Sequence, residues 1–288
     1  MKILYEYVAG LGDVLIDFAY FKKLKKDNPD YLLHIVCNNN IAELFTRFKY
    51  TELIEVKEDN VPPTHSAINK YDKHVIVTGL MSWAFYLKPE KTLFDVRGDT
   101  FFPGVNATLD DMQNNIISEF PENMLKDFEC PVIVNAPKPS RLAQGKTISQ
   151  ELWQEIFEAF PNISFIQIGS MDYDYDFTQD NVIDIREKLP IFEALALIPE
   201  SKFVLGVDNL LNHASICYKK KGLFMWGSSS PDRYGYKQNI NLYNPTDCSP
   251  CLYNRLFDES ECCQHPDITT ISIDEIKENI NKLLEEQK

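Results

Sequence analysis

Apolar positions fall into short runs separated by longer, helix-spaced patterns, and this alternation happens twice along the chain. Residues 2–8 (KILYEYV) form a run of strand length, Gly10-Leu11-Gly12 interrupts it, and from Asp13 onward Val14, Ile16, Phe18, Ala19, Phe21 and Leu24 recur at roughly helical spacing. Asn28-Pro29 stops that helix. A second strand is predicted over 32–37, a helix over 41–48, and further strands over 53–56 and 74–80. No hairpin turn joins these strands. They are therefore expected to pair in parallel through crossovers, as an α/β sheet covered on both faces.

Between residues 82 and 127 the pattern weakens, with one helix predicted over 109–120, and the stretch reads as the far edge of a first domain and a linker. A second α/β series then begins. Strands are predicted over 131–137, 164–169, 181–186, 203–208 and 222–227 with helices between them, the first helix over 149–160. Thr147 with Gln150 has capping-box spacing for that helix, and Ser272 with Glu275 has it for a C-terminal helix expected to run to the chain end. The expected fold is α/β with two Rossmann-like domains, residues 1–128 and 129–288, and a C-terminal helix.

Composition narrows the function classes. A length of 288 residues accommodates two domains with cores of their own. Lys plus Arg is 29 against 43 Asp plus Glu, a net charge of −14, and such a surface repels phosphodiester backbones and anionic membranes. A nucleic-acid partner is not expected. No run approaches the roughly 18–20 apolar residues of a membrane span, and Glu6 and Asp13 interrupt the N-terminal stretch where a signal peptide would be apolar, so a cytoplasmic protein with no transmembrane segment is expected. Of seven cysteines, Cys37, Cys130 and Cys217 stand singly beside apolar runs as small buried hydrophobes do, while Cys248, Cys251, Cys262 and Cys263 cluster.

Candidate chemistry concentrates at predicted strand-to-helix turns. In open α/β sheets these turns gather helix N-termini and strand ends around ligands. Gly10-Leu11-Gly12-Asp13 permits close backbone approach, although Leu15 replaces the third glycine of a dinucleotide fingerprint and no acid follows the second strand. Asp13 is a candidate cleft carboxylate, and an acid in a first helical turn also serves simply to stabilise the helix. Gly145-Lys146-Thr147 is not a P-loop, because Ser140 stands where its first glycine belongs. Lys138, Arg141 and Lys146 nonetheless form a basic loop before a helix, suited to phosphate or to plain solvation. Asp172, Asp174 and Asp176 spell DxD twice, the pattern by which GT-A sugar transferases hold a divalent cation. Asp208 closes a strand with His213 in the following helix, and Gly227-Ser228-Ser229-Ser230-Pro231 closes the next strand.

These segments resemble glycosyltransferase family 9, the heptosyltransferase-like group of GT-B enzymes. Gly10-Leu11-Gly12-Asp13 is similar to its first loop, Lys146 to a lysine opening its second domain, and Asp208 to His213 to its D-S/T-G-x-x-H segment. Residues 223–231 look like its next strand and G-x-x-x-P loop, and Cys248-Ser249-Pro250-Cys251 with Cys262-Cys263 like its C-x-P-C…C segment. Leu210 stands in place of the motif glycine. The resemblance implies two Rossmann-like domains facing across a cleft. It implies an inverting glycosyltransferase that moves a sugar from a nucleotide-diphosphate donor, such as an ADP-heptose, to a hydroxyl of a glycan or glycoconjugate acceptor.

Carried over residue by residue, the resemblance makes Asp13 the general base and gives Gly10 and Gly12 to the acceptor-side loop. Lys146, Asp208, Asn209 and His213 fall on the donor side, and Gly169, Asp172, Gly227 and Ser228, at the ends of neighbouring strands, are assigned there too. No catalytic metal is required, since lysine and helix amides would meet the leaving charge. Cys248, Cys251, Cys262 and Cys263, with His265 nearby, have spacing for a structural zinc or iron, or for a reduced loop without metal. Two alternatives stand beside this reading: a metal-dependent DxD transferase, and a catalytically silent nucleotide-sugar-binding protein.

Overall fold

A computed structural model describes residues 1–57, 69–79, 90–113, 123–139, 145–251 and 268–286. The chain divides into two compact units, Met1–Glu119 and Phe120–Lys288. Among the described residues no helix is long and apolar enough to cross a membrane.

The first unit is a four-stranded parallel sheet in the order β3-β2-β1-β4, from β1 (Lys2–Val8), β2 (Leu32–Asn38), β3 (Glu52–Lys57) and β4 (Lys73–Thr78). Ile3 to Tyr7 of central β1 are all buried, as expected of a strand covered on both faces. Helix α1 (Leu11–Asp27) starts at Gly10 and is buried continuously from Val14 to Phe21, and α2 (Asn39–Thr46) is capped by Asn38, whose side chain accepts from the Ile41 amide. Aromatic rings make the core. Tyr5 meets Phe21 edge-on at 4.8 Å, and Phe18 stacks on Phe48 at 4.0 Å.

The weakly patterned region is more ordered than its sequence suggests. It contains α3 (Leu93–Phe101), opened by Thr92, whose hydroxyl accepts from the Asp95 amide while the Asp95 carboxylate accepts from the Thr92 amide. The helix expected over 109–120 is only the single turn α4 (Leu109–Met112), because Gln113 turns extended; residues 114–120 lie outside the described part. Helix α3 is fastened to α1 by the Tyr20 hydroxyl, which donates to the Phe94 carbonyl at 2.7 Å. Gly98 lies directly under the Tyr20 ring.

The second unit is a six-stranded parallel sheet, order β10-β9-β8-β5-β6-β7. Its strands are β5 (Val132–Val134), β6 (Phe165–Gln167), β7 (Val182–Asp184), β8 (Val204–Val207), β9 (Gly222–Trp226) and β10 (Ile240–Tyr243), the last not foreseen from its short apolar run. Intervening helices are α5 (Gln150–Ala159), α6 (Ile191–Ala196), α7 (Leu210–Cys217) and α8 (Pro231–Tyr234). The order reverses between β5 and β8, so the loops leaving these two strands diverge and open a crevice at their C-terminal ends. Helix α5 begins two residues later than Thr147 predicts, because Ser149 caps it through the Leu152 amide, while the Thr147 carbonyl accepts from the Ile268 amide. Ser272 does cap the terminal helix α9 (Ile273–Glu285), which packs Ile276, Ile280 and Leu283 against the domain core.

A Cβ on Gly98 would stand 2.5 Å from the Tyr20 hydroxyl. Gly98→Ala is expected to destabilise the protein by about 1–3 kcal/mol through displacement of that buried ring. A fall in the urea midpoint at unchanged slope checks this.

Candidate functional site

In the first unit, Asp13 is the third residue of α1 and sits where the loops leaving β1 and β4 part. Its Oδ2 accepts the Gly10 amide at 3.2 Å, and a Cβ on Gly79, just after β4, would come within 3.3 Å of the same oxygen. Gly10 is the exposed residue before the helix and Gly12 lies in its first turn. The expected acceptor-side residues are thus together, around a carboxylate that is 18% exposed and reachable from solvent.

The partner of Asp13 was not foreseen. Arg97 of α3, fully buried, donates from Nη1 to Asp13 Oδ1 at 2.8 Å and from Nε and Nη2 to both oxygens of buried Asp17 at 2.6 and 2.5 Å. Tyr7 of β1 donates its hydroxyl to Asp17 at 2.7 Å, and the guanidinium lies over the Phe101 ring. Burial alone would lower the Arg97 pKa, but Asp17 and Asp13 outweigh it and drive the pKa further up, so the guanidinium stays charged. Burial and the Asp17 charge together push the Tyr7 hydroxyl well above its ordinary value. A sequence signal existed: Asp17 interrupts the apolar run Val14–Phe21, and a carboxylate in a helix buried on all sides requires a buried cation.

In the second unit the lysine loop and the strand ends meet. Lys146 Nζ lies 2.7 Å from Asp208 Oδ2, just beyond β8, and the Ser229 hydroxyl beyond β9 donates to the same oxygen at 2.5 Å. The Lys146 ammonium also sits 5.8 Å from the Tyr234 ring centre. The Asp208 side chain is 6% exposed and that of Lys146 20%. Burial pushes the Asp208 pKa up, yet Lys146 and the hydrogen bonds from Lys146 and Ser229 hold it below the ordinary carboxylate value, with His213 adding in the same direction. The loop is held by its backbone. Gly145, at φ +67°, accepts the Ser228 amide at 2.7 Å, and a Cβ on Gly227 would come within 2.4 Å of the Gly145 carbonyl.

Asn209 caps α7 by accepting the Leu211 amide at 2.9 Å, and its amide group donates to Asn135, at the end of β5, at 2.8 Å. This bond spans the crevice where the strand order reverses, and Asn135 is the second residue the sequence reading missed. Leu210 is the first residue of α7 with no positive φ, so the backbone there has no conformational need for the glycine it replaces. His213 is buried, its Nδ1 2.8 Å from the Tyr236 hydroxyl.

The other predicted donor residues are placed by packing. Gly169 has φ +134°, and a Cβ there would meet Asp174 Oδ2 at an impossible 1.9 Å. The two DxD patterns do not converge. Asp174 is buried and accepts the Ser170 amide, Asp176 pairs with Arg186 at 2.7 Å, and Asp172 is exposed. Burial raises the Asp174 pKa, with the Ser170 and Asn135 hydrogen bonds opposing. Cys248 lies 3.2 Å from the Thr246 hydroxyl and Cys251 is buried; Cys262, Cys263 and His265, like Arg141, fall outside the described residues. Among the described residues no group of three or more His, Cys, Asp or Glu is placed to hold a metal ion.

By sequence, no protein-family model and no curated protein matches the chain. Its fold does match solved structures. A glycosyltransferase family 9 protein from Veillonella parvula superposes with a TM-score of 0.68 at 14% identity over 99% of this chain and 97% of its own. ADP-heptose lipopolysaccharide heptosyltransferase II of E. coli gives 0.69 at 13% identity over the whole of both chains. The dodecameric iron-containing glycosyltransferase TibC of enterotoxigenic E. coli gives 0.69 at 15% identity, covering 99% of this chain and 77% of that one. The chain thus shares the two-Rossmann α/β fold of these glycosyltransferases.

The Lys146–Asp208 pair carries a pH signature. A carboxylate whose pKa is lower folded than unfolded contributes stability that is complete above its ordinary value of 3.8 and is lost as pH falls through the lower folded value. The difference in unfolding free energy between the wild type and Asp208→Asn is therefore expected to shrink on going from about pH 6 to about pH 3. Lys146→Met, which leaves Asp208 without its cation, should destabilise more than Lys146→Met combined with Asp208→Asn. Denaturant titrations across that range test both.

Proposed function

We propose that the protein is an inverting glycosyltransferase that takes a nucleotide-diphosphate sugar on its second unit and a hydroxyl-bearing glycan or glycoconjugate on its first. The observation that carries this reading is the cluster at one edge of the second sheet: Lys146, Asp208 and Ser229 beside the N-terminus of α7. A reachable ammonium and the amides of a helix start are what a departing diphosphate needs. Asp13 supplies the other half. It takes the proton of the acceptor hydroxyl as that oxygen bonds to the anomeric carbon, while the bond from that carbon to the diphosphate oxygen breaks and the electron pair leaves with the nucleotide. One displacement inverts the anomeric centre, and the positive charges act without a catalytic metal. The ADP-heptose named for E. coli heptosyltransferase II makes an ADP-linked heptose the first donor to test.

In a thermal-shift series of ADP-, GDP-, UDP- and dTDP-sugars, the true donor should raise the melting temperature in step with its occupancy. Asp13→Asn should keep that shift and lose about 100-fold or more in turnover. Unaltered turnover would remove Asp13 from the reaction. Donor binding without transfer in the wild type would leave a nucleotide-sugar-binding protein instead.

By sequence spacing, Cys248, Cys251, Cys262 and Cys263 would give a four-sulfur set that suits zinc or iron and would leave no open position, hence a structural ion. TibC is an iron-containing member of the same fold. Elemental analysis of protein purified without chelator should find about one equivalent of metal, lost together with thermal stability in Cys248→Ser. A wild type that holds no metal when purified without chelator would refute the structural ion.

A further inference from the structure

We propose that Arg97 is a positioning residue for Asp13: from the buried side it fixes which carboxylate oxygen faces the acceptor, with Asp17 and Tyr7 serving as its fixed mount. This rests on the reading of Asp13 as the base that activates the acceptor hydroxyl.

The geometry divides the guanidinium between two tasks. Its Nε–Nη2 edge is spent on both oxygens of Asp17, the bidentate arrangement that fixes an arginine's plane most firmly. Nη1 is left pointing along α1 to the carboxylate one turn earlier, where it holds Asp13 Oδ1 at 2.8 Å. Asp13 Oδ2 accepts the longer bond from the Gly10 amide, at 3.2 Å, and stands close to Gly79, where a Cβ would come within 3.3 Å of it. The buried cation holds one oxygen, and the backbone at the start of α1 holds the other beside Gly79.

Each part of the mount is itself fixed. Asp17 is fully buried, Tyr7 ties it to β1, and α3 is held to α1 by Tyr20 on Phe94 and by the close seat of Gly98 next to Arg97. A purely structural pair would need one carboxylate for one guanidinium. Here a second, partly exposed carboxylate is drawn onto the same cation, and the orientation of that second group is what a base needs, since a misplaced base loses rate without losing substrate. Among the described residues Arg97 from α3 meets Asp13 directly, and Asp17 from α1 with Tyr7 from β1 holds that cation from behind.

The test compares three proteins in steady-state transfer and in crystal structures. Arg97→Lys keeps the charge but cannot serve both carboxylates with a planar fork. The pair Arg97→Gln with Asp17→Asn removes the buried charges together, so that neither is left uncompensated and folding is preserved. The pair is expected to lower kcat about 10-fold or more with donor KM unchanged, and Arg97→Lys to recover part of the loss. Its crystal structure should show Asp13 in another rotamer or in several. Wild-type kcat in the pair, or an Asp13 side chain that keeps its orientation there, would overturn the proposal. Should the wild type transfer no sugar at all, the glycosyltransferase reading falls, and the Asp13 rotamer in the crystal structures still decides whether Arg97 positions it.

Discussion

Burying charge at a strand end is the constraint on which the candidate site residues of both units depend. A guanidinium with no solvent exposure is tolerable in the first unit only because α1 turns two carboxylates, one helical turn apart, onto it. In the second unit Asp208 is nearly as enclosed, and it remains ionised because the lysine loop delivers an ammonium and the following strand a hydroxyl. In both, the polar group at the end of a parallel sheet is committed to a geometry before any ligand arrives. Ready-made orientation of this kind costs no reorganisation during reaction.

The alternation of apolar runs and helix-spaced patterns made most of the fold legible. Strand β1 and helices α1, α5 and α9 fall where the periodicity puts them, because each buries a stripe or a whole segment that the composition displays. Helix α3 and strand β10 were not legible. Polar residues interrupt α3, and the helix is held by a cap and by tertiary contacts with α1, while β10 is four residues long and borrows its pairing from β9. Local pattern carries no record of such help.

The candidate site was readable in part for a related reason. Asp13, Lys146, Asp208 and Asn209 sit at strand-to-helix turns, where topology alone recommends them, and the structure gathers the last three. Arg97 and Asn135 escaped because their importance lies in partners distant along the chain: 80 residues from Arg97 to Asp17, and 74 from Asn135 to Asn209. The DxD patterns erred in the opposite sense. An acidic chain repeats such spacings readily, and here one carboxylate is a strut beneath Gly169 and another neutralises Arg186.

The contact between Gly145 and Gly227 joins two properties that would otherwise vary separately. With the carbonyl of one residue resting where a side chain of the other would be, the reach of the Lys146 ammonium is set by the path of the chain leaving β9. Selection or engineering acting on that turn, for thermal resistance or for a bulkier ligand, would drag the cation along with it. Altering the setting of the lysine without touching the hinge of the strand therefore calls for a change beyond the turn, at Tyr234 of α8, whose ring meets the ammonium.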